Sequence, residues 1–386
     1  MSGRAAQGAG LAWVVAALWL LVFAGIAADV IRKPTKHTTV PTYQTASTQW
    51  WQGVDPYTLR THDGFLYFPQ AAVLYTPFTW GPGLTGELAW RAFAFGLFAL
   101  ALWRLGRGFL DRGDARTNFL ILTLLAVPCS LASLRNAQFD LPLAALVVLT
   151  AAEIGAARWT AAAVCLCVAV ALKPLAVVPL LLFGAIYYKE LLGRLALGLV
   201  IVLLLPFVHW NPAFAAHEYV RCVQTLLWAG QPHEPRFSDL TALLAHVGIV
   251  IPDALMFGLR VLCALVYLGL GLLAARRLGR FDASWVVGAL AADYLMLFNP
   301  RTETCSFVFL GPFVATLALR QFRAPGRRAL GIVLGVAAIF LACDAMPPIH
   351  LLTDRWLKPL IALLFLPAII WFVLQPPSRE EDRTNS

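Results

Sequence analysis

The constraint that shapes this chain is the recurrence of apolar blocks close to the length of a membrane span. The first covers residues 11–28, and others follow to near the C-terminal end, separated by short basic loops. A transmembrane helix needs about 20 apolar residues, and lipid forces every backbone polar group to be satisfied within the segment. Such a series leaves an all-α, polytopic membrane protein as the fold class. Composition agrees: 13% of the residues are charged, where a soluble chain carries about 25%. The first block follows one arginine and ends near small residues that a signal peptidase could accept. A cleaved signal peptide is therefore the competing reading of that block. An uncleaved first span is preferred, because a multispan chain can use its first span as an anchor.

The net charge of +9 raises nucleic-acid binding as a function class. It is rejected, because the Lys and Arg residues sit in short loops between apolar blocks, where the positive-inside rule puts them. The seven cysteines are an odd number with no paired spacing, so neither a disulfide framework nor a zinc site is expected. No metal ligand set and no cofactor motif emerges.

The basic loops order the spans. With the N-terminus inside, span 1 ends near Asp29 and a long first outer loop covers residues 30–87. Span 2 (88–103) leads to "RLGRGFLDRGDARTN", whose four arginines mark the inner face. Spans 3 (119–134) and 4 (141–157) flank "RNAQFD" at the outer face. The next apolar run has basic residues at both ends and Lys173–Pro174 in its middle. Splitting it there puts the lysine at an outer helix junction, far cheaper than hydrocarbon, and proline favours the break. Span 7 (195–208) leads to a second large outer loop, 209–252, and span 8 (254–275) returns. Four more blocks lead to a charged inner tail, 376–386. The expectation is one integral membrane domain, residues 1–386, of about 12 transmembrane or half-spanning helices. No internal repeat is evident.

Within the first outer loop, "FLYFPQAAVLYTPF" (65–78) carries five aromatics, two prolines and no charge. It is too short to span, and its prolines suit a helix start and a helix stop. Aromatics with a polar edge favour the headgroup level, so the expectation is a helix lying in the outer interface. A plain anchoring belt explains the composition equally well. A short helix over 42–52, broken at "GVDPY", precedes it.

The pattern "Y…A…WW.G.DPY…FLYFPQAAVLYTPF" resembles the first outer loop of the GT-C glycosyltransferases, specifically glycosyltransferase family 87. "NAQFD", "ALKP", "FSDL" and "NPRTETCSFVFLGP" follow in the family's order, so the resemblance covers residues 11–312. It implies a GT-C fold and a polyprenyl-phosphate-linked sugar as donor, with mannose as the family's sugar. It also implies a lipid or glycan acceptor on the outer face of a bacterial-type inner membrane.

Such transfer needs a carboxylate base for the acceptor hydroxyl and cations for the departing lipid phosphate. Arg135, Lys173 and Arg301 all fall at outer ends of spans in this topology. For each, snorkelling to headgroups or capping a helix end competes with function. Gln138 and Asp140 adjoin Arg135 and suit sugar hydroxyls, though Asp140 also fits as a cap of span 4. Tyr67, in the aromatic stretch, is a further donor contact. The family's loop acid before the tyrosine matched by Tyr43 is missing: "KHTTVP" stands there. The remaining outer acids are Asp29, Asp55, Asp63, Glu87 and Glu303. Asp29, at the lip of span 1, is the first candidate for the base, and Glu303, beside Arg301, the second. Asp55 is a substrate contact or, more simply, an Asx turn. Two other classes stay open: a transporter or flippase for a lipid-linked solute, which broken helices and membrane cations also suit, and a non-catalytic subunit of GT-C type.

Overall fold

The computed structural model describes residues 2–36, 38–58, 64–81, 83–109, 114–229, 237–345, 353 and 355–375. The tail at 376–386 and the candidate acid Asp63 lie outside the described residues. Among the described residues the secondary structure is helical, with no strand, and eight helices are long and apolar enough to cross a bilayer. Three shorter apolar helices accompany them. The chain is an all-helical, polytopic membrane protein.

The helices are α1 (Ser2–Arg32), α2 (Val40–Gln52), α3 (Pro69–Tyr75), α4 (Leu84–Arg107), α5 (Ala115–Asn136), α6 (Asp140–Gly155), α7 (Trp159–Leu172) and α8 (Val177–Ile186). There follow α9 (Tyr188–Leu204), α10 (Pro212–Ala229), α11 (Leu240–His246), α12 (Asp253–Arg277), α13 (Arg280–Phe298), α14 (Gly311–Arg323), α15 (Arg328–Phe340) and α16 (Leu357–Leu374). The centre of the bundle is α6, α13 and α14, whose residues are almost all buried. Helix α6 packs on α4, α7 and α13. Helices α1, α9 and α12 expose most of their apolar surface and form the flanks. Close packing at the centre requires glycine in places: a Cβ on Gly311 would lie 2.1 Å from Cys129 Sγ, which is far inside van der Waals contact.

The break at Lys173 is present. The backbone there is extended, followed by a 3₁₀ turn over Pro174–Ala176 and then α8. Proline has no N–H to continue the ladder and biases the preceding residue towards β, so α7 stops at Leu172. The first outer loop holds α2 and α3 as the prolines require, with Pro69 in the first turn of α3 and Pro77 in the 3₁₀ turn that ends it. The packing of α3 differs from an exposed interfacial helix. Pro69, Gln70, Ala71, Ala72 and Tyr75 are buried, and Tyr75 meets Tyr43, Trp90 and Phe139 edge to face. The aromatics of the stretch are a core of ring-on-ring contacts. A Cβ at Gly86 would lie 2.0 Å from the Phe78 carbonyl oxygen, so glycine lets α4 close on this segment. The second outer loop is not irregular either: α10 and α11 lie within residues 209–252.

Candidate functional site

At the end of the bundle where α5, α7 and α13 stop, a cavity of about 750 Å³ opens. Its lining comes from distant parts of the chain: Thr38 to Tyr43, Gly64 to Tyr67, Asn136 and Gln138, Lys173 to Leu175, the end of α10, Phe237, and Asn299 to Cys305. Helix ends build it. Helix α5 terminates with Ala137 in the left-handed region (φ 57), its N–H bonded to Ser133 and Leu134 carbonyls. That conformation costs a non-glycine residue about 1 kcal/mol. It turns the chain so that Gln138 enters the cavity while Trp90 Nε1 donates to the Ala137 carbonyl at 2.8 Å. Helix α13 ends at Phe298, and Thr302 Oγ1 donates to the carbonyls of Leu295 and Asn299. That turn sets Arg301 and Glu303 in the wall.

The polar groups form one connected set. Gln138 Nε2 donates to Glu303 Oε2 at 2.7 Å, and Cys305 Sγ donates to Gln138 Oε1 at 2.8 Å. Lys173 pairs with Asp140 Oδ1, whose other oxygen accepts from Ser306 Oγ at 2.7 Å. The Asp140 side chain is 1% exposed and that of Lys173 20%. Glu303 is exposed to the cavity and within electrostatic reach of Lys173. Arg301 Nη1 donates to the Ala229 carbonyl at 3.0 Å, and its guanidinium lies over the Phe237 ring. The Tyr43 and Tyr67 hydroxyls are 3.0 Å apart, and the Phe139 N–H donates to Tyr43 at 3.4 Å. Burial pushes the Tyr67 phenol well above its usual range, so it stays a neutral hydrogen-bonding group.

The cavity therefore gathers Tyr67, Gln138, Lys173, Arg301 and Glu303, with Asp140 directly behind Lys173. Besides Asp140, three expected site residues, Asp29, Arg135 and Asp55, are not in its lining. Asp29 lies in the last turns of α1, paired with Arg135 and, at 3.7 Å, with Lys33. Arg135 also donates to the Lys33 carbonyl at 3.0 Å. Asp55 accepts from the Tyr57 N–H at 2.6 Å, the geometry of an Asx turn, and from Arg221 Nε at 2.8 Å. That second bond ties α10 to the first loop. Sequence reasoning missed Thr38, Thr39, Asn136, Cys305 and Ser306, which carry no charge signal, and Arg91. Buried Arg91 donates to Glu87 Oε2, Thr38 Oγ1 and the Arg135 carbonyl, bracing the wall from behind. Among the described residues no three His, Cys, Asp or Glu side chains are grouped to hold a metal ion.

The helical membrane bundle thus carries one cavity lined by an acid, an amide, hydroxyls and cations. The sequence model of glycosyltransferase family 87 matches residues 65–300, and the chain belongs to that family. It is a membrane glycosyltransferase. The match begins at the first residue of the aromatic stretch and ends just before Arg301. No curated protein matches the chain closely enough to count as a relative.

Proposed function

We propose that this enzyme moves a sugar from a polyprenyl-phosphate donor to an acceptor hydroxyl at the outer face of the membrane, with mannose as the sugar the family suggests. The observation that carries the reading is the joint presence of Glu303 and the cations Lys173 and Arg301 in one cavity lining. Glu303 is the general base. It takes the proton as the acceptor oxygen attacks the anomeric carbon and the bond from that carbon to the phosphate oxygen breaks. The electron pair leaves on the phosphate, and the ammonium and guanidinium stabilise the added charge. Lys173 is oriented by buried Asp140, and Ser306 satisfies the other carboxylate oxygen. Gln138 fixes the Glu303 carboxylate, and the Tyr43–Tyr67 pair offers hydroxyls to the sugar. The outer-face assignment is supported by the basic loops at the opposite helix ends. The family suggests a bacterial-type inner membrane as its location, with lipid or glycan acceptors.

The test is transfer by purified protein from a panel of radiolabelled polyprenyl-phosphate sugars into membrane extract. One donor should pass label to a new product. No transfer from any of that panel, with transfer from nucleotide sugars run alongside, contradicts the reading.

A further inference from the structure

We infer that Lys358, outside the family match and distant in sequence from the site, is a positioning residue for the cavity wall that carries Glu303. This rests on the reading of Glu303 as the base. Lys358 lies in the first turn of α16, and its side chain is 1% exposed. Its ammonium donates to the Thr304 carbonyl at 2.7 Å, pairs with Asp344 Oδ1 at 2.6 Å, and lies 5.8 Å from the Phe307 ring centroid. The carbonyl and the carboxylate take two of the three ammonium donors, and the ring adds a cation–π approach.

Stability is a poor reason for this arrangement. A cation in the first turn opposes the helix dipole, and α16 carries no acid there. A buried ion pair is often replaced by apolar residues with no loss of stability. What the pair does hold is the main chain at Thr304. Thr304 lines the cavity between Glu303 and Cys305, whose side chains converge on Gln138. Two residues on, Ser306 bonds to Asp140 behind Lys173. A hydrogen bond to one carbonyl thus anchors the segment from which the base and a support of the phosphate-facing lysine project.

Two paired variants separate position from charge. Lys358→Met with Asp344→Leu removes the ion pair and the donor to Thr304. Lys358→Gln with Asp344→Asn removes both charges and keeps a donor. With radiolabelled polyprenyl-phosphate mannose as donor, the Met pair is expected to lose about 100-fold in kcat, the cost of a small misplacement, with donor KM unchanged. The Gln pair recovers most of that loss. Equal kcat in the two pairs, or a loss confined to KM, overturns the inference. If the Met pair does not fold, Lys358→Gln against Lys358→Met, both with Asp344→Asn, decides. The two differ in the donor to the Thr304 carbonyl, so equal kcat again overturns it. Glu303→Gln run alongside isolates the underlying reading. If Glu303→Gln stays active while the Met pair is slow, Glu303 is not the base and the anchoring of the wall stands. If Glu303→Gln is inactive while the Met pair keeps its turnover, the positioning role alone is lost.

Discussion

Asp29 at the end of α1 and Glu303 in the cavity wall are both acids near a basic residue at the end of an apolar run. Exposure does not separate them: the Asp29 side chain is 42% exposed, and Glu303 is exposed too. Their surroundings do. Asp29 is paired with Arg135 and Lys33 on the rim, outside the cavity lining. Glu303 accepts from a neutral amide at 2.7 Å, with the Cys305 sulfur 3.5 Å away, in a space large enough for substrate. A carboxylate already paired with two cations is stabilised in its charged form and is a weaker base. One held by a neutral amide in a cavity wall keeps its orientation towards a bound substrate. The two acids thus share a sequence setting and differ in the partners the fold gives them.

The sharpest way to break this contrast is to neutralise both acids in turn. Glu303→Gln is expected to lower sugar transfer by about 100- to 10,000-fold, the range for loss of a general base. Asp29→Asn should change transfer by no more than about fivefold, because an exposed ion pair is worth at most about 1 kcal/mol. The reverse ranking in steady-state assays makes the rim acid the base.

The next effect concerns Lys173. Its partner Asp140 is buried, so Lys173→Met alone strands a carboxylate and should cost about 3–5 kcal/mol of stability. Adding Asp140→Asn removes that penalty, and thermal melts in detergent should show the recovery. Transfer by the double variant should still be about 100-fold down, because the phosphate-facing charge is gone. A double variant that melts normally and transfers normally reduces Lys173 to a structural cation.

These expectations also mark what was legible. The helix break at Lys173 could be read because proline and flanking basic residues are local signals. Helix α2 could be read from the "GVDPY" stop. The partner of Lys173 could not: Asp140 is 33 residues away, and the same residue also suited a helix cap. Helix α10 was hidden because its buried positions, Ala215, Glu218, Cys222, Thr225 and Ala229, are small or polar and mimic loop composition. The aromatic stretch announced its importance but not its burial, since composition alone fits a membrane interface and a packed core of rings equally well. Asp29 and Glu303 looked alike because their partners come from other helices.

A smaller effect should follow at Tyr67. Tyr67→Phe keeps the ring contacts and removes the hydroxyl bonded to Tyr43. Donor KM should rise by about tenfold at most, the scale of one hydrogen bond, with expression unchanged. If only Tyr67→Ala has an effect, the residue serves packing alone.

The smallest effect lies away from both acids, where α10 meets the first loop. Burial first, and then the neighbouring Asp55 carboxylate, push Glu218 up to about 7. A raised carboxyl pKa means that the folded state favours the neutral form. The stability it contributes is full below the usual carboxylate range and is lost as pH rises through about 7. Hydrogen-exchange protection factors over residues 212–229, with the intrinsic pH dependence of exchange divided out, should therefore fall between about pH 5 and pH 8. Glu218→Gln should flatten that dependence, and an unchanged profile in the variant removes Glu218 as its source.

The central claim is that sugar transfer takes place in the cavity and not on the rim. The most direct measurement is photo-crosslinking with a polyprenyl-phosphate sugar that carries a diazirine on the sugar ring, followed by peptide mapping. The account predicts adducts on residues 64–67, 136–140, 173–175 or 299–305, suppressed by unlabelled donor. Competable adducts confined to residues 29–36, beside Asp29, would contradict it.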